Sequence, residues 1–413
     1  MAADNVLILG LLVTGTMNPF DDVDVLDLTQ SIAGPVSTQF LGMFGANVVK
    51  VEPPDGDPFR GLVDGAMFAS VNLGGKQSVC LDFKQPEGQK AARELAENAD
   101  VVVESFRPGV IERFDLDYES ISKENEDVVY LSLTGFGQDG PYSEWPAYDP
   151  VIQAMSGLMS TIGYKDRPPA RIGASVIDWG TGTTAAFLLA SALMNRERTG
   201  EGEYLDVNLF EVTTAWMGYW IAHYTGTGEV VERAGQGFDG LAPNEIFHAA
   251  DGEPFYMCVV NDRLYERLCD ALDRDDLLED ERFKTNDRRW EHRDVLKAEL
   301  EAEFEDYERD DLCQHLAEAG IPNGPLQEVD ELVDSDPHIA AREMLTESYN
   351  LWQDTPVETA NPPFKTSDGR PDIGDRPPKQ GEHTRAVLAE LGYDDSQIDR
   401  MIAAGAAGPA EGD

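Results

Sequence analysis

Cysteine is scarce in this 413-residue chain. Cys80, Cys258, Cys269 and Cys313 stand far apart, with no Cys-x-x-Cys pair. The spacing predicts free thiols in a reducing, cytoplasmic setting rather than a disulfide framework. The six histidines, at 223, 248, 292, 315, 338 and 383, form no His-x-x-x-His pair, so no metal site is expected. No Gly-x-x-x-x-Gly-Lys-Ser/Thr appears, which argues against a P-loop nucleotidase. Thr29–Pro35, near the first expected strand, lacks the Gly-x-Gly-x-x-Gly dinucleotide fingerprint, and no Gly-x-Ser-x-Gly elbow occurs. Long apolar runs are missing too. The stretch 5–13 lacks a basic flank and is far too short to span a bilayer, so no membrane association is expected. Met17-Asn-Pro-Phe would make a natural start, and residues 1–16 are set aside as an over-called beginning.

Positive charge is also sparse. Ten lysines and 22 arginines face 78 acidic residues, a formal net charge of −46. Such a surface repels nucleic acid. It resembles the surfaces of proteins from salt-accumulating halophiles, where a Debye length of about 3 Å in molar salt screens the self-repulsion. Any anionic ligand must then be held by a local cluster of cations.

What is present alternates between strand-like and helix-like segments, the pattern of a parallel α/β sheet. Strands are expected at 23–28, 47–51, 78–82, 101–104, 128–133 and 204–209, and helices at 35–44, 86–98 and 183–195. After about Gly226 the texture changes. A glycine-rich stretch, 234–240, leads to a strand at 255–260 and helices at 263–272, 293–303 and 310–319; a last helix is expected at 384–391. The fold class read from this is α/β, a Rossmann-like parallel-sheet large domain with a smaller α+β domain. The expected division is 17–225, 226–335, and a C-terminal segment 336–413.

Asp178 is the candidate functional residue. The apolar run Ala174–Ile177 reads as a buried strand that delivers the carboxylate into a turn with Gly180 and Gly182, just before a helix. A carboxylate there suits a helix N-cap, and it equally suits a partly desolvated nucleophile. The residues alone leave both open.

An ordered set of motifs carries a resemblance. Leu26–Pro35 with Phe44–Glu52 resembles the opening of the class III CoA-transferases (CaiB/BaiF, formyl-CoA transferase type). Gly56–Arg60, Val103–Gly109, Leu133–Tyr142, Arg196–Gly202, Asp280–Phe283, Gly320–Pro325 and Gly381–His383 resemble further blocks of that family, in order. The likeness runs from about Val23 to Met401.

The resemblance implies that Asp178 is the nucleophile, attacking an acyl-CoA thioester to give an aspartyl anhydride and then an aspartyl-CoA thioester. It implies acyl-CoA and carboxylic acid substrates, no tightly bound cofactor, and an interlocked homodimer in which the C-terminal segment 336–413 returns to the large domain. Ile32, Ala33, Lys76, Ser105, Phe106, Arg107 and Arg113 fall in blocks that border CoA, and Tyr148 and Asp149 fall beside the transferase centre. Formyl-CoA transferase has Gln where Ile32 stands; Gln30 lies two residues earlier. Gly235, Gln236, Gly237 and Gly240 match a mobile glycine-rich loop covering the site. The related α-methylacyl-CoA racemases use a Gly-His-Asp segment for proton transfer. Here it reads Ala147-Tyr148-Asp149, and tyrosine, with a reference pKa near 10, makes a poor base at neutral pH. A non-catalytic CoA-binding protein would be expected to have a degraded Asp178 segment, and this one is intact. The substrates expected are succinyl-CoA as donor and a C4–C5 dicarboxylate such as mesaconate as acceptor.

Overall fold

A computed structural model describes residues 17–408 except Asp239 and Asp368; the reading of residues 1–16 lies outside the described residues. Six parallel strands form the main sheet: β1 (Asp24–Leu28), β2 (Asn47–Glu52), β3 (Gln77–Cys80), β4 (Val101–Glu104), β5 (Val129–Thr134) and β6 (Glu203–Asn208), in the spatial order 3-2-1-4-5-6. Runs such as Val101-Val-Val and Val129-Tyr-Leu are apolar without a break because both faces of the sheet are covered.

On one face, Leu26, Leu28, Val49, Val51 and Val102 pack with helix α2 (Pro86–Asn98). The C-terminal segment contributes Leu388, Ile398 and Met401 to the same core. The other face meets helices α1 (Ala33–Met43) and α3 (Val176–Thr199), which pack closely on each other. α3 is long and apolar enough to cross a membrane by length and hydropathy. It buries Ile177, Ala185, Leu189 and Leu193 against the fold instead.

The chain divides into two compact units. The first holds the residues up to Ile152, Ser175–Thr213 and those from Ala340 on; the second holds Gln153–Ala174 and Thr214–Ile339. These bounds differ from the 17–225 expected for the large domain. The excursion 153–174 joins the second unit because Gly163–Tyr164 pairs antiparallel with Ala234–Gly235, and the Arg233 guanidinium donates to the carbonyls of Tyr164, Lys165 and Arg167. In the second unit, β7 (Asn244–His248), β8 (Pro254–Cys258) and β9 (Asn323–Pro325) form an antiparallel sheet. It is covered by α4 (Asp262–Ala271), α5 (Arg293–Phe304) and α6 (Arg309–Glu318) around Phe247, Phe255, Leu268, Leu300 and Phe304. In the first unit, the antiparallel hairpin β10 (Leu345–Asn350) and β11 (Thr355–Ala360) precedes α7 (Thr384–Glu390) and α8 (Asp395–Ala403).

Chain order reverses between β1 and β4, so the loops leaving their carboxyl ends diverge and open a crevice. In a parallel sheet this is where ligands bind.

Candidate active site

A cleft of about 480 Å³ occupies that crevice, entirely within the first unit. Its walls are the β1–α1 turn (Gln30, Ser31, Ala33, Gly34), the loop after β4 (Ser105–Pro108), the end of β5 (Leu133–Gly135), the segment Trp145–Tyr148, and Asp178. The β1–α1 turn is tight. Ser31 adopts φ +69, and a Cβ on Gly34 would lie 2.3 Å from the Thr29 side chain.

Asp178 does not follow a strand. Residues 165–175 form an irregular segment, and α3 begins at Val176, with Ser175 as an N-cap that makes no side-chain hydrogen bond. Asp178 therefore sits in the first turn of the helix, and Gly180 and Gly182 are helical rather than part of a turn. The expected strand at 174–177 is absent: Ala174 is exposed in the irregular segment, and Val176 and Ile177 already belong to α3. Gly182 lets α1 and α3 meet; a Cβ there would lie 2.5 Å from the Ala33 carbonyl. The cap comes from elsewhere. Buried Asp149 accepts the Ile177 N–H at 2.8 Å and the Asp178 N–H at 3.4 Å through Oδ2. The capping role open to Asp178 in the sequence thus belongs to Asp149, and the Asp178 carboxyl is left to face the cleft.

The half-buried Asp178 carboxyl is pushed up to about 7, first by burial and then by the neighbouring Asp149 carboxylate. A poorly solvated, unusually basic carboxylate in a cleft is a competent nucleophile toward an activated carbonyl.

The other expected site residues separate into two groups. Ala33, Ser105, Phe106, Arg107 and Tyr148 line the cleft, and Arg107 is the one cation among its described lining residues. The Ser105 hydroxyl accepts the Gln30 N–H at 3.1 Å, tying the β4 loop to the β1 turn. Ile32, Lys76 and Arg113 do not line it. Ile32 packs with Val36 and Val71. The Arg113 guanidinium is directed onto the Gly109 carbonyl at 2.9 Å.

Lys76 is buried under α1. It donates to Asp27 at 3.1 Å, to the Pro35 carbonyl at 2.8 Å and to the Val71 carbonyl at 3.2 Å. Burial pushes its ammonium down to about 8 despite the pull of Asp27. Burial alone would raise the Asp27 carboxyl, but Lys76, Lys50, Thr29 and Thr38 together hold it well below the usual range. The two shifts belong to one coupled pair, and geometry places both charges inside the protein. Lys50, paired with Asp57 at 3.2 Å, and Arg60, bidentate on Glu52 at 2.6 Å, are likewise held in buried pairs. These cations hold the strand ends in place and leave ligand charge to Arg107.

The candidate lid residues belong to the second unit. Gly235 (φ +67) pairs with Gly163, the Gly237 N–H returns to the Ala234 carbonyl at 3.2 Å, and the Gly240 carbonyl accepts from Asn286 at 2.8 Å. No group of His, Cys, Asp and Glu among the described residues could hold a metal ion.

Sequence reasoning missed Ser31, Thr134 and Trp145 as lining residues. Trp145 is half exposed and tilted against Tyr142, with ring centroids 4.6 Å apart. The clue was an aromatic-rich stretch, Tyr142–Tyr148, outside any regular element.

Residues 20–384 match CoA-transferase family III. The chain is 37% identical over 381 residues to the acetyl-CoA:oxalate CoA-transferase of Acetobacter aceti, covering 90% of this chain and 96% of that protein. It is 36% identical over 392 residues to the succinyl-CoA:mesaconate CoA-transferase of Haloarcula marismortui, covering 92% and 98%. The succinate–glutarate CoA-transferase of Agrobacterium fabrum is 33% identical over 386 residues, covering 90% and 96%. A CaiB/BaiF family protein from Brucella suis superposes with a TM-score of 0.80 at 36% identity, covering 91% of this chain and all of that one. The protein belongs to CoA-transferase family III and is a class III CoA-transferase.

Proposed function

We propose that this enzyme moves CoA from succinyl-CoA to a C4–C5 dicarboxylate such as mesaconate, with Asp178 as the covalent carrier. The observation that carries the reading is the Asp178 carboxyl, raised to about 7 at the edge of a cleft whose other walls are strand-end loops. An Asp178 oxygen attacks the thioester carbonyl of the donor, and the C–S bond breaks to give an aspartyl anhydride and CoA thiolate. The thiolate attacks the Asp178 carbonyl, forming aspartyl-CoA thioester and releasing the donor as its carboxylate. The acceptor carboxylate repeats the first step on that thioester, and the thiolate then returns to the acceptor carbonyl, regenerating Asp178. Every intermediate is an anhydride or a thioester, so the activation is conserved without ATP. Fixed geometry supplies the effective molarity.

The dicarboxylate assignment draws support from the Haloarcula and Agrobacterium relatives, whose names specify succinyl-CoA with mesaconate and succinate with glutarate. Acetyl-CoA with oxalate, named for the Acetobacter relative, is the competing pair. The reading also includes an interlocked homodimer in the cytoplasm. In support, α3 leaves Trp179, Phe187 and Met194 exposed along one helical stripe, Phe187 at 70%, as a helix awaiting a partner would.

The test is transfer itself. The protein is incubated in about 2–3 M KCl, chosen to screen its charge, with succinyl-CoA or acetyl-CoA and a panel containing mesaconate, glutarate and oxalate. New acyl-CoA species should form with the C4–C5 acids and vanish in Asp178→Ala, and hydroxylamine trapping should mark Asp178. Transfer undiminished in Asp178→Ala removes the nucleophile assignment. Proton exchange on a 2-methylacyl-CoA without transfer would favour racemisation.

A further inference from the structure

Glu104 closes β4 and is 1% exposed, yet no cation among the described residues faces it. The groups that do are Glu112 from the turn Ile111–Phe114, Asp206 and Tyr204 from β6, and Tyr130 and Ser132 from β5. Burying a carboxyl among other acids is costly. The buried strand-end acid of β2, Glu52, is matched by Arg60; Glu104 is not so matched.

What Glu104 does hold is the cleft. Its Oε2 accepts the Phe106 N–H at 2.7 Å, within the loop Ser105–Pro108 that forms one wall. Ser105 in turn accepts the Gln30 N–H at 3.1 Å. On its other side Glu104 contacts Ser132, which also contacts Tyr204. The carboxyl thus anchors the loop after β4, which Ser105 ties to the β1–α1 turn.

We propose that Glu104 is a positioning residue whose ionisation tightens the loop Ser105–Pro108 around CoA and so makes CoA affinity depend on pH. The proposal rests on the cleft being the CoA site. Burial first, then Glu112 and Asp206, raises this carboxyl to about 7 against the opposing hydrogen bonds from Ser132 and Phe106. Ionised, it makes a charge-assisted hydrogen bond to the Phe106 N–H, roughly twice as strong as a neutral one. The added negative charge also repels anionic CoA, but that effect acts through space and is screened in molar salt, whereas the contact hydrogen bond is not. Affinity should therefore rise as pH climbs through about 7.

The experiment measures the Kd of free CoA by calorimetry in molar KCl from pH 5.5 to 8.5. It uses an Asp178→Asn background, so that the other near-neutral carboxyl is silent. The expected result is tighter binding at the alkaline end, on the order of tenfold for one charge-assisted hydrogen bond gained. Glu104→Gln, which keeps an acceptor oxygen, should bind CoA with a flat pH profile at the weaker level, and Glu104→Ala should bind more weakly still. A Glu104→Gln profile that parallels its parent, or a parent profile that is flat, overturns the proposal. Absence of CoA binding at every pH removes the assignment of the cleft itself, and this proposal with it. Circular dichroism of each variant separates loss of the loop's hold from loss of the fold.

Discussion

Asp178 and Asp149 are two carboxyls with one helix end between them, and the backbone decides which does what. Asp149 takes the N–H groups of Ile177 and Asp178 and is buried there as an acceptor. Asp178 receives no such bond, and both its burial and its neighbour's charge favour the protonated form. In the proposed mechanism only the ionised form attacks. The rate of enzyme acylation in a single turnover should therefore rise with pH and level off above about 7, rather than near the ordinary aspartate value of about 4. Asp149→Asn keeps an oxygen for the Ile177 N–H but removes the like charge, so its acid limb should move to lower pH. Rapid-quench detection of the acyl-enzyme across pH reads both limbs. An unmoved limb in Asp149→Asn would assign the shift to burial alone.

At the scale of elements, the Asp-x-Gly-x-Gly run owes its second glycine, Gly182, to helix packing. A Cβ at Gly182 would lie 2.5 Å from the Ala33 carbonyl oxygen and 2.6 Å from Val36 Cβ, neither of which can swing aside. Gly182→Ala should push α1 and α3 apart, costing about 1–3 kcal/mol of stability. Because Ala33 and Asp178 line the same cleft, the KM for acyl-CoA should rise as well. Denaturant melts with steady-state kinetics check both effects, and unchanged values would mean the helices already have slack. The same residues mark how far the sequence could be read. The strands of the main sheet were legible because burial on both faces leaves short, unbroken apolar runs such as Val101-Val-Val. α3 was read as starting seven residues late, since its cap is Asp149, 28 residues before Ile177, and no local pattern announces it. The hairpin 345–360 is not legible because Leu345–Asn350 and Thr355–Ala360 hold few apolar residues, and Pro356 interrupts the second, so no apolar–polar alternation announces strands there. Asp178 stands out as the candidate through its ordered surrounding motifs, whereas the burial of Lys76 depends on Asp27 and Pro35, more than 40 residues away in sequence.

Across the whole molecule, 78 acidic residues against 32 basic ones leave most surface carboxylates without a partner. Several of the cations are already committed: Lys50, Arg60 and Lys76 lie in buried pairs, and Arg274 alone reaches Asp276, Glu299 and Glu303. Salt acts on these two populations differently. Exposed charges repel through solvent, where molar KCl cuts the Debye length to about 3 Å, while buried pairs at contact distance are screened far less. Raising KCl should therefore remove repulsion without loosening the pairs that hold the strand ends. The melting temperature should climb between dilute buffer and about 2 M KCl. Relief of a few kcal/mol of repulsion corresponds to a shift on the order of 10 °C, at roughly 2–4 °C per kcal/mol for units of this size. Differential scanning fluorimetry in a KCl series, with sorbitol at matched osmolality as the uncharged control, measures it. A rise with salt alone identifies charge screening as the cause. An equal rise with sorbitol would identify solute exclusion from the surface, and a flat series would mean that the folded chain tolerates its −46 charge without help.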